Sequence, residues 1–301
     1  ALATAASAQA SPAPMAPEKV PGTVRNAGIY HVTSGTWTRV GNNVANLGPD
    51  TVYSNTAESG YFTSFGGAGG FAPGSTNVDE GGLPGIANTH RPGNRDEYSI
   101  NCVEIGYCDL GAPATAGWEL TFYSSYTPCT APPAPDTVLR ATGLPAGGCW
   151  TMTIDLSGGS EFCLAADAGD GFDDMPDRDS FGWGFRYIGT DGTAPAGFLL
   201  SGHPKATDPN YVLGSIPTAG TNTYYGPPSL CGPSDATGFL TRDFWWLDDP
   251  TGAFSNCFFS QLYPVGSSNP CGANFNPYSS WYLELQADAD SCTSCVCFPN
   301  G

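Results

Sequence analysis

The segment Cys149-Trp150-Thr151-Met152-Thr153-Ile154-Asp155-Leu156 alternates without a break. Trp150, Met152, Ile154 and Leu156 fall on one side, and Thr151, Thr153 and Asp155 on the other. A period of two marks a strand with one face on a core and one on polar surroundings. The pattern recurs. Trp118, Leu120 and Phe122 oppose Glu119 and Thr121, while Trp183, Phe185 and Tyr187 oppose Gly182, Gly184 and Arg186. Near the end, Trp281, Leu283 and Leu285 alternate with Tyr282, Glu284 and Gln286. Apolar runs between Gly, Pro, Asn and Asp predict further strands over 28–32, 36–40, 97–107, 136–142, 161–165, 196–201 and 239–247. No window offers four turns of helical periodicity free of Gly or Pro. About eleven one-sided strands must bury their apolar faces against each other, which predicts two packed sheets. The expected fold is all-β, an antiparallel β-sandwich of jelly-roll type, with long loops over 66–95 and 202–236.

Composition narrows the setting. The chain of 301 residues carries 11 Cys but only 10 Lys plus Arg. No CxxCH pattern and no zinc-finger spacing employs these thiols, so they predict an exported protein stapled by disulfides. The cysteines concerned are Cys102, Cys108, Cys129, Cys149, Cys163, Cys231, Cys257, Cys271, Cys292, Cys295 and Cys297. Their number is odd, which leaves one thiol over or one bond to another chain. The net charge of −18 argues against nucleic acid and anionic membrane surfaces, both of which need clustered Lys and Arg. Charged residues are 13% of the chain against about 25% usually, so Ser, Thr, Asn and Gly cover much of the surface. No apolar stretch is long enough for a membrane-spanning helix.

Three regions follow from composition. Residues 1–27 form an Ala-, Ser- and Pro-rich arm in which Pro12, Pro14, Pro17 and Pro21 bar a helix. Its start resembles the tail of a signal peptide, with Ala8-Gln9-Ala10 as an A-x-A site. Residues 28–287 hold the strand-rich domain, and 288–301 form a Cys-rich tail.

The sharpest chemical motif is the acidic run holding Asp167, Asp170, Asp173, Asp174, Asp177 and Asp179. Calcium takes six to eight oxygens, and closely spaced Asp in a Gly-rich loop can supply them, although the spacing is not that of an EF-hand. The alternative is a solvated acidic turn. Trp245 and Trp246 are adjacent and so point to opposite faces of a strand. One of them exposed would offer a platform for a sugar ring or a subunit contact; both buried would be core. Catalytic signatures are absent: there is no G-x-S-x-G, no H-E-x-x-H and no P-loop. His31, His90 and His203 could each be fitted into a Ser-His-Asp triad, which discriminates nothing. For glycoside hydrolysis the chain offers Asp79, Glu80, Asp96, Glu97 and Glu104, and the telling arrangement would be two carboxyl groups facing each other.

A series of phrases runs Val52-Tyr53-Ser54-Asn55-Thr56, Ser59-Gly60-Tyr61-Phe62, Val78-Asp79-Glu80-Gly81-Gly82-Leu83-Pro84 and Ile105-Gly106-Tyr107-Cys108. Leu120-Thr121-Phe122-Tyr123, Ile154-Asp155-Leu156 and Phe181-Gly182-Trp183 continue it. Together they resemble a recurring group of exported, planctomycete-like bacterial β-rich proteins. The resemblance spans roughly residues 50–285 and implies export and a β fold, with no functional residue carried over.

Taken together, these features predict a secreted, non-enzymatic structural subunit of a filament, sheath or surface layer. It would form a homopolymer by adding its N-terminal arm as a strand to a neighbouring copy. A carbohydrate-binding module on surface glycans is the alternative, and a polysaccharide hydrolase is a third reading. If the acidic run holds calcium, a chelator lowers the thermal midpoint; a melting curve unchanged by EDTA would remove the ion from the picture.

Overall fold

The computed structural model describes residues 18–39, 50–56, 58–65, 74–84, 97–111, 116–125, 132–165, 178–188, 195–201, 244–248, 254–259 and 280–287. The strands in chain order begin with β1 (Glu18–Lys19), β2 (Arg25–His31), β3 (Thr36–Thr38), β4 (Asp50–Asn55), β5 (Glu58–Phe65) and β6 (Thr76–Pro84). Next come β7 (Glu97–Asp109), β8 (Gly117–Tyr123), β9 (Thr137–Thr142), β10 (Gly148–Asp155), β11 (Phe162–Ala165) and β12 (Arg178–Ile188). The series closes with β13 (Ala196–Ser201), β14 (Phe244–Asp248), β15 (Phe254–Phe259), β16 (Ser280–Trp281) and β17 (Leu283–Ala287). Among the described residues there is no helix, and so none long and apolar enough to cross a membrane.

The strands form two sheets. The larger has eleven strands, with the path β1-β5-β13-β7-β10-β2-β3 and with β4, β11, β16 and β17 attached to it. The smaller has six, in the order β15-β14-β6-β12-β8-β9. Every ladder among the described residues is antiparallel except β2 with β10, where Trp150 to Asp155 run parallel to Arg25 to His31. The long chain path between these two strands makes a parallel pair possible, because it leaves room for a crossover.

Aromatic rings join the sheets face to face. Phe185 of β12 lies 4.1 Å from Phe198 and 4.8 Å from Trp281, measured between ring centroids. Tyr53 meets Phe181 edge-on at 5.4 Å, and Phe122 lies 4.9 Å from Phe162. Trp118 donates its indole N–H to the Met152 sulfur at 3.2 Å. Each such ring pair adds about 0.5–1.5 kcal/mol beyond burial of its area. The four alternating segments place their apolar residues in this core as expected. Trp118, Leu120, Met152, Ile154, Trp183, Tyr187, Leu283 and Leu285 are all fully buried.

Strand β7 is the centre of the larger sheet. One edge pairs with β10 and β11, and the other with β13 and β17. Val103, Ile105 and Tyr107 enter the main core. Cys108 projects to the opposite face, where it joins Phe62, Cys149, Leu199 and Tyr282 in a second apolar cluster packed by Val20 and Val24. Cys108 and Cys149 are register partners and form a disulfide.

The segment 66–95, expected to be a loop, contains β6. Its glycines suggest a turn, but Gly81 has a packing reason. A Cβ there would stand 2.6 Å from a ring carbon of Tyr53 and 2.7 Å from one of Phe181. Strand β2 starts at Arg25 and β1 lies at Glu18–Lys19, so pairing begins inside the segment read as an arm.

The Cys108–Cys149 bond spans 41 residues. Closing a loop of that length in the unfolded chain is worth about 4 kcal/mol. Replacing both cysteines by Ala should lower the unfolding free energy by about 3–4 kcal/mol in urea titrations; a loss below about 1 kcal/mol would contradict this.

Candidate functional site

The face of the larger sheet turned away from the smaller sheet carries most of the organised polar groups. Register partners project to the same side of a sheet, so residues can be followed from strand to strand. Thr38 of β3 pairs with Ile29 of β2, Ile29 with Thr153 of β10, and Thr153 with Glu104 of β7. Glu104 pairs with Glu284 of β17, and Glu284 with Ser54 of β4. The neighbouring row runs Thr36, His31, Asp155, Cys102 and Gln286. A polar band thus crosses six strands. Five gaps of about 4.8 Å give it a length of about 24 Å.

At the centre stand two carboxylates. Glu104 is 9% exposed, and the Tyr282 hydroxyl donates to its Oε1 at 2.5 Å. Glu284 is half-buried; Ser54 Oγ donates to its Oε2 at 3.2 Å and Gln286 Nε2 to its Oε1 at 2.8 Å. Burial, followed by the Glu104 charge, raises the Tyr282 phenol well above its ordinary pKa, so it remains a hydrogen-bond donor at any ordinary pH. Thr153 is 1% exposed, and its Oγ1 has no hydrogen-bond partner among the described residues. Like charges directly opposite on paired strands are destabilising. A central ladder with such a pair breaks a local rule, as functional sites do.

At the sheet edge, His31 forms a chain of hydrogen bonds. Its Nδ1 lies 2.6 Å from Asp155 Oδ2 and its Nε2 lies 2.8 Å from Thr38 Oγ1. A carboxylate can only accept, so Nδ1 carries the hydrogen of that bond, while Nε2 and the Thr38 hydroxyl share the second bond. Asp155 Oδ1 also accepts from Ser157 N at 2.9 Å and Ser157 Oγ at 2.6 Å. The arrangement pins the β2–β3 hairpin to β10. Burial acts against the charge on Asp155, yet the bonds from Ser157 and His31 outweigh it and hold the carboxyl below the ordinary range.

On the outer face of the smaller sheet, Glu119 sits between Arg140 of β9 and Arg186 of β12. Arg186 Nε lies 2.7 Å from Glu119 Oε1, and Arg140 bonds the other oxygen. Burial pulls the Glu119 pKa upward, and the two guanidinium groups together bring it below the ordinary value.

The residues singled out from the sequence are placed unevenly. Asp167, Asp170, Asp173, Asp174 and Asp177 lie outside the described residues, and Asp179 stands on β12 opposite Leu83. Trp245 and Trp246 are successive residues of β14, in register with Asp79 and Val78 of β6. Cys102 is buried on β7, Cys163 is half-buried on β11, and Cys257 lies on β15. Cys129, Cys231, Cys271, Cys292, Cys295 and Cys297 lie outside the described residues, as do His90, His203 and Asp96. Asp79 is fully buried on β6, Glu80 is also on β6, and Glu97 opens β7. Glu104 is the one carboxylate of the expected set brought against a second across a ladder among the described residues. Its partner Glu284 reads in the sequence only as the polar side of a strand. The signal that pairs them is the β7–β17 register, which periodicity does not contain.

No family model, curated protein or solved structure matches the chain.

Asp155 supplies a test of the edge network. A carboxyl depressed in the folded state stabilises above the ordinary aspartate pKa of 3.8, and that contribution is lost as pH falls through the folded value. Asp155→Asn should therefore cost about 1–2 kcal/mol at neutral pH, with the gap to wild type closing below about pH 4. A pH-independent gap in chemical denaturation would show that the charge is not what matters.

Proposed function

We propose that the chain is a structural subunit of an extracellular assembly, joined to further copies by exchange of its N-terminal strand. One observation carries this reading. Glu18 and Lys19 lie as an antiparallel strand on the β5 edge, opposite Phe62 and Tyr61, and Val20 N donates to Gly60 O at 2.9 Å. The base of the arm therefore has the geometry of strand addition. Val20 also packs on the apolar cluster around Phe62, Leu199 and Tyr282, which gives the strand a side-chain anchor.

The connection to β2 suits exchange. Gly22 has φ of 88°, and a Cβ there would meet nothing within 4 Å among the described residues. This left-handed position is one glycine adopts without strain, and it follows Pro21, whose φ is fixed. A short element on such a hinge can satisfy the same contacts on another copy, the low-cost route of domain swapping. A swap that does not close on itself propagates into a fibre. The low charge density and the Cys108–Cys149 bond suit a subunit packed outside the cell.

Removing residues 1–20 should leave the circular dichroism of the sandwich intact and abolish assembly in light scattering and electron microscopy. Mixing a Lys19→Cys chain with a Tyr61→Cys chain should give a disulfide between the two copies, since these positions are register partners. Normal polymerisation of the truncated chain would overturn strand exchange. So would a disulfide between positions 19 and 61 that forms only within a chain carrying both substitutions.

A further inference from the structure

We propose that the outer edge of β9 is a contact between two copies of this chain, in which β9 of a second copy adds antiparallel about a two-fold axis at Val138. The inference goes beyond strand exchange and uses none of the residues that carry it, so either can fail alone.

Strand β9 ends the smaller sheet, and among the described residues it pairs only with β8. An open edge presents unpaired N–H and C=O groups to any strand that fits it. Asp136, Val138 and Arg140 are exposed, in alternation with the buried Leu139 and Ala141. Val138, 43% exposed, is the one exposed large apolar side chain among the described residues. It stands on the edge strand itself, with an acid two residues before it and a base two residues after it. Read in reverse, this acid–apolar–base triplet is its own complement. A second copy of the same strand therefore fits it better than an arbitrary strand does.

The charges also choose the register. Partners across a ladder project to one side, so exposed residues must meet exposed residues. A pair centred on Arg140 would set that arginine against itself, and one centred on Leu139 would set Val138 against Arg140. Centred on Val138, the pair sets valine against valine and Asp136 against Arg140, twice by symmetry. Apolar and opposite-charge pairs directly opposite each other stabilise a ladder, and like charges destabilise it. Both charged groups have capacity left. Asp136 Oδ2 accepts from Ser124 N at 2.5 Å, while Oδ1 has no partner among the described residues. Arg140 spends Nε on Glu119, and its side chain stays 63% exposed. Pro132, Pro133 and Pro135 cannot donate to a ladder, so they confine the contact to residues 136–140. Such a contact is isologous and closes on itself. It joins two six-stranded sheets edge to edge.

The test uses the full chain carrying Val138→Cys under mild oxidation, with the 138–138 link read by non-reducing electrophoresis and peptide mass spectrometry. The link should form faster than in a Ser34→Cys chain, whose thiol is exposed on the β2–β3 turn. Adding Asp136→Lys or Arg140→Glu to the Val138→Cys chain should each lower the yield about tenfold, since like charges then face each other twice. Mixing these two variants should restore it, because only the mixed pair sets opposite charges together at both ends. A merely structural role for either residue cannot produce that rescue. Near-ultraviolet circular dichroism checks that each variant is folded. A second arm needs no charge variant: excess wild-type chain should dilute the 138–138 link, and excess Val138→Lys chain should not. The proposal is overturned by a link no faster than that of Ser34→Cys, by mixing without rescue, or by equal competition from the two competitors. Fibres that persist with no 138–138 link would leave strand exchange standing and remove this contact.

Discussion

The structure depends on β7 having a partner along both edges. A strand in that position cannot slide, because a shift of one residue would exchange its two faces. Val103, Ile105 and Tyr107 would leave the core, and Glu104 would enter a space lined by aromatic rings. Two local features hold the register. The Cys108–Cys149 bond joins β7 to β10 covalently. On the same face Gly106 lets Leu199 and Tyr282 lie close over the strand; a Cβ there would be 2.6 Å from Leu199 Cδ1 and 3.0 Å from Tyr282 Cγ. Tyr282 thus reaches Glu104 because residue 106 has no side chain.

The aromatic interior and the polar band oppose each other energetically. Contacts of Phe185 with Phe65, Phe198, Trp183 and Trp281 concentrate dispersion and area burial in one place. The opposite face of the larger sheet holds facing carboxylates and an unsatisfied threonine, both unfavourable. Even the core contains polar groups without partners among the described residues, including both amide atoms of Asn77 and the indole N–H of Trp183. Rings and disulfide together offset these costs.

Much of the sandwich is legible in the sequence because strand alternation is a local signal. Glu119 and Arg186 fall on the polar sides of their segments, and they meet there as an ion pair. Strand β6 is hidden because Gly81, Gly82 and Pro84 resemble a turn, and its need for a glycine comes from rings on β4 and β12. The parallel β2–β10 ladder is equally hidden, since nothing in either segment states the direction of its partner. The carboxylate pair is half visible. Glu104 stands out as an acid, but Tyr282, which bonds it, lies 178 residues away. Only pairing between distant strands brings such residues together, and a single sequence carries no record of that pairing.

The parallel ladder also bears on the order of events during folding. His31 finds Asp155 across 124 residues, and closing so long a loop is entropically slow and yields no contact until it is complete. As the chain is synthesised, β2 must wait for the middle of the sequence before it can dock on β10. During that delay β2 has only β3 as a partner strand, while β1 needs only β5. On the proposed strand exchange, this order of synthesis would favour capture between copies by timing, before any difference in affinity enters.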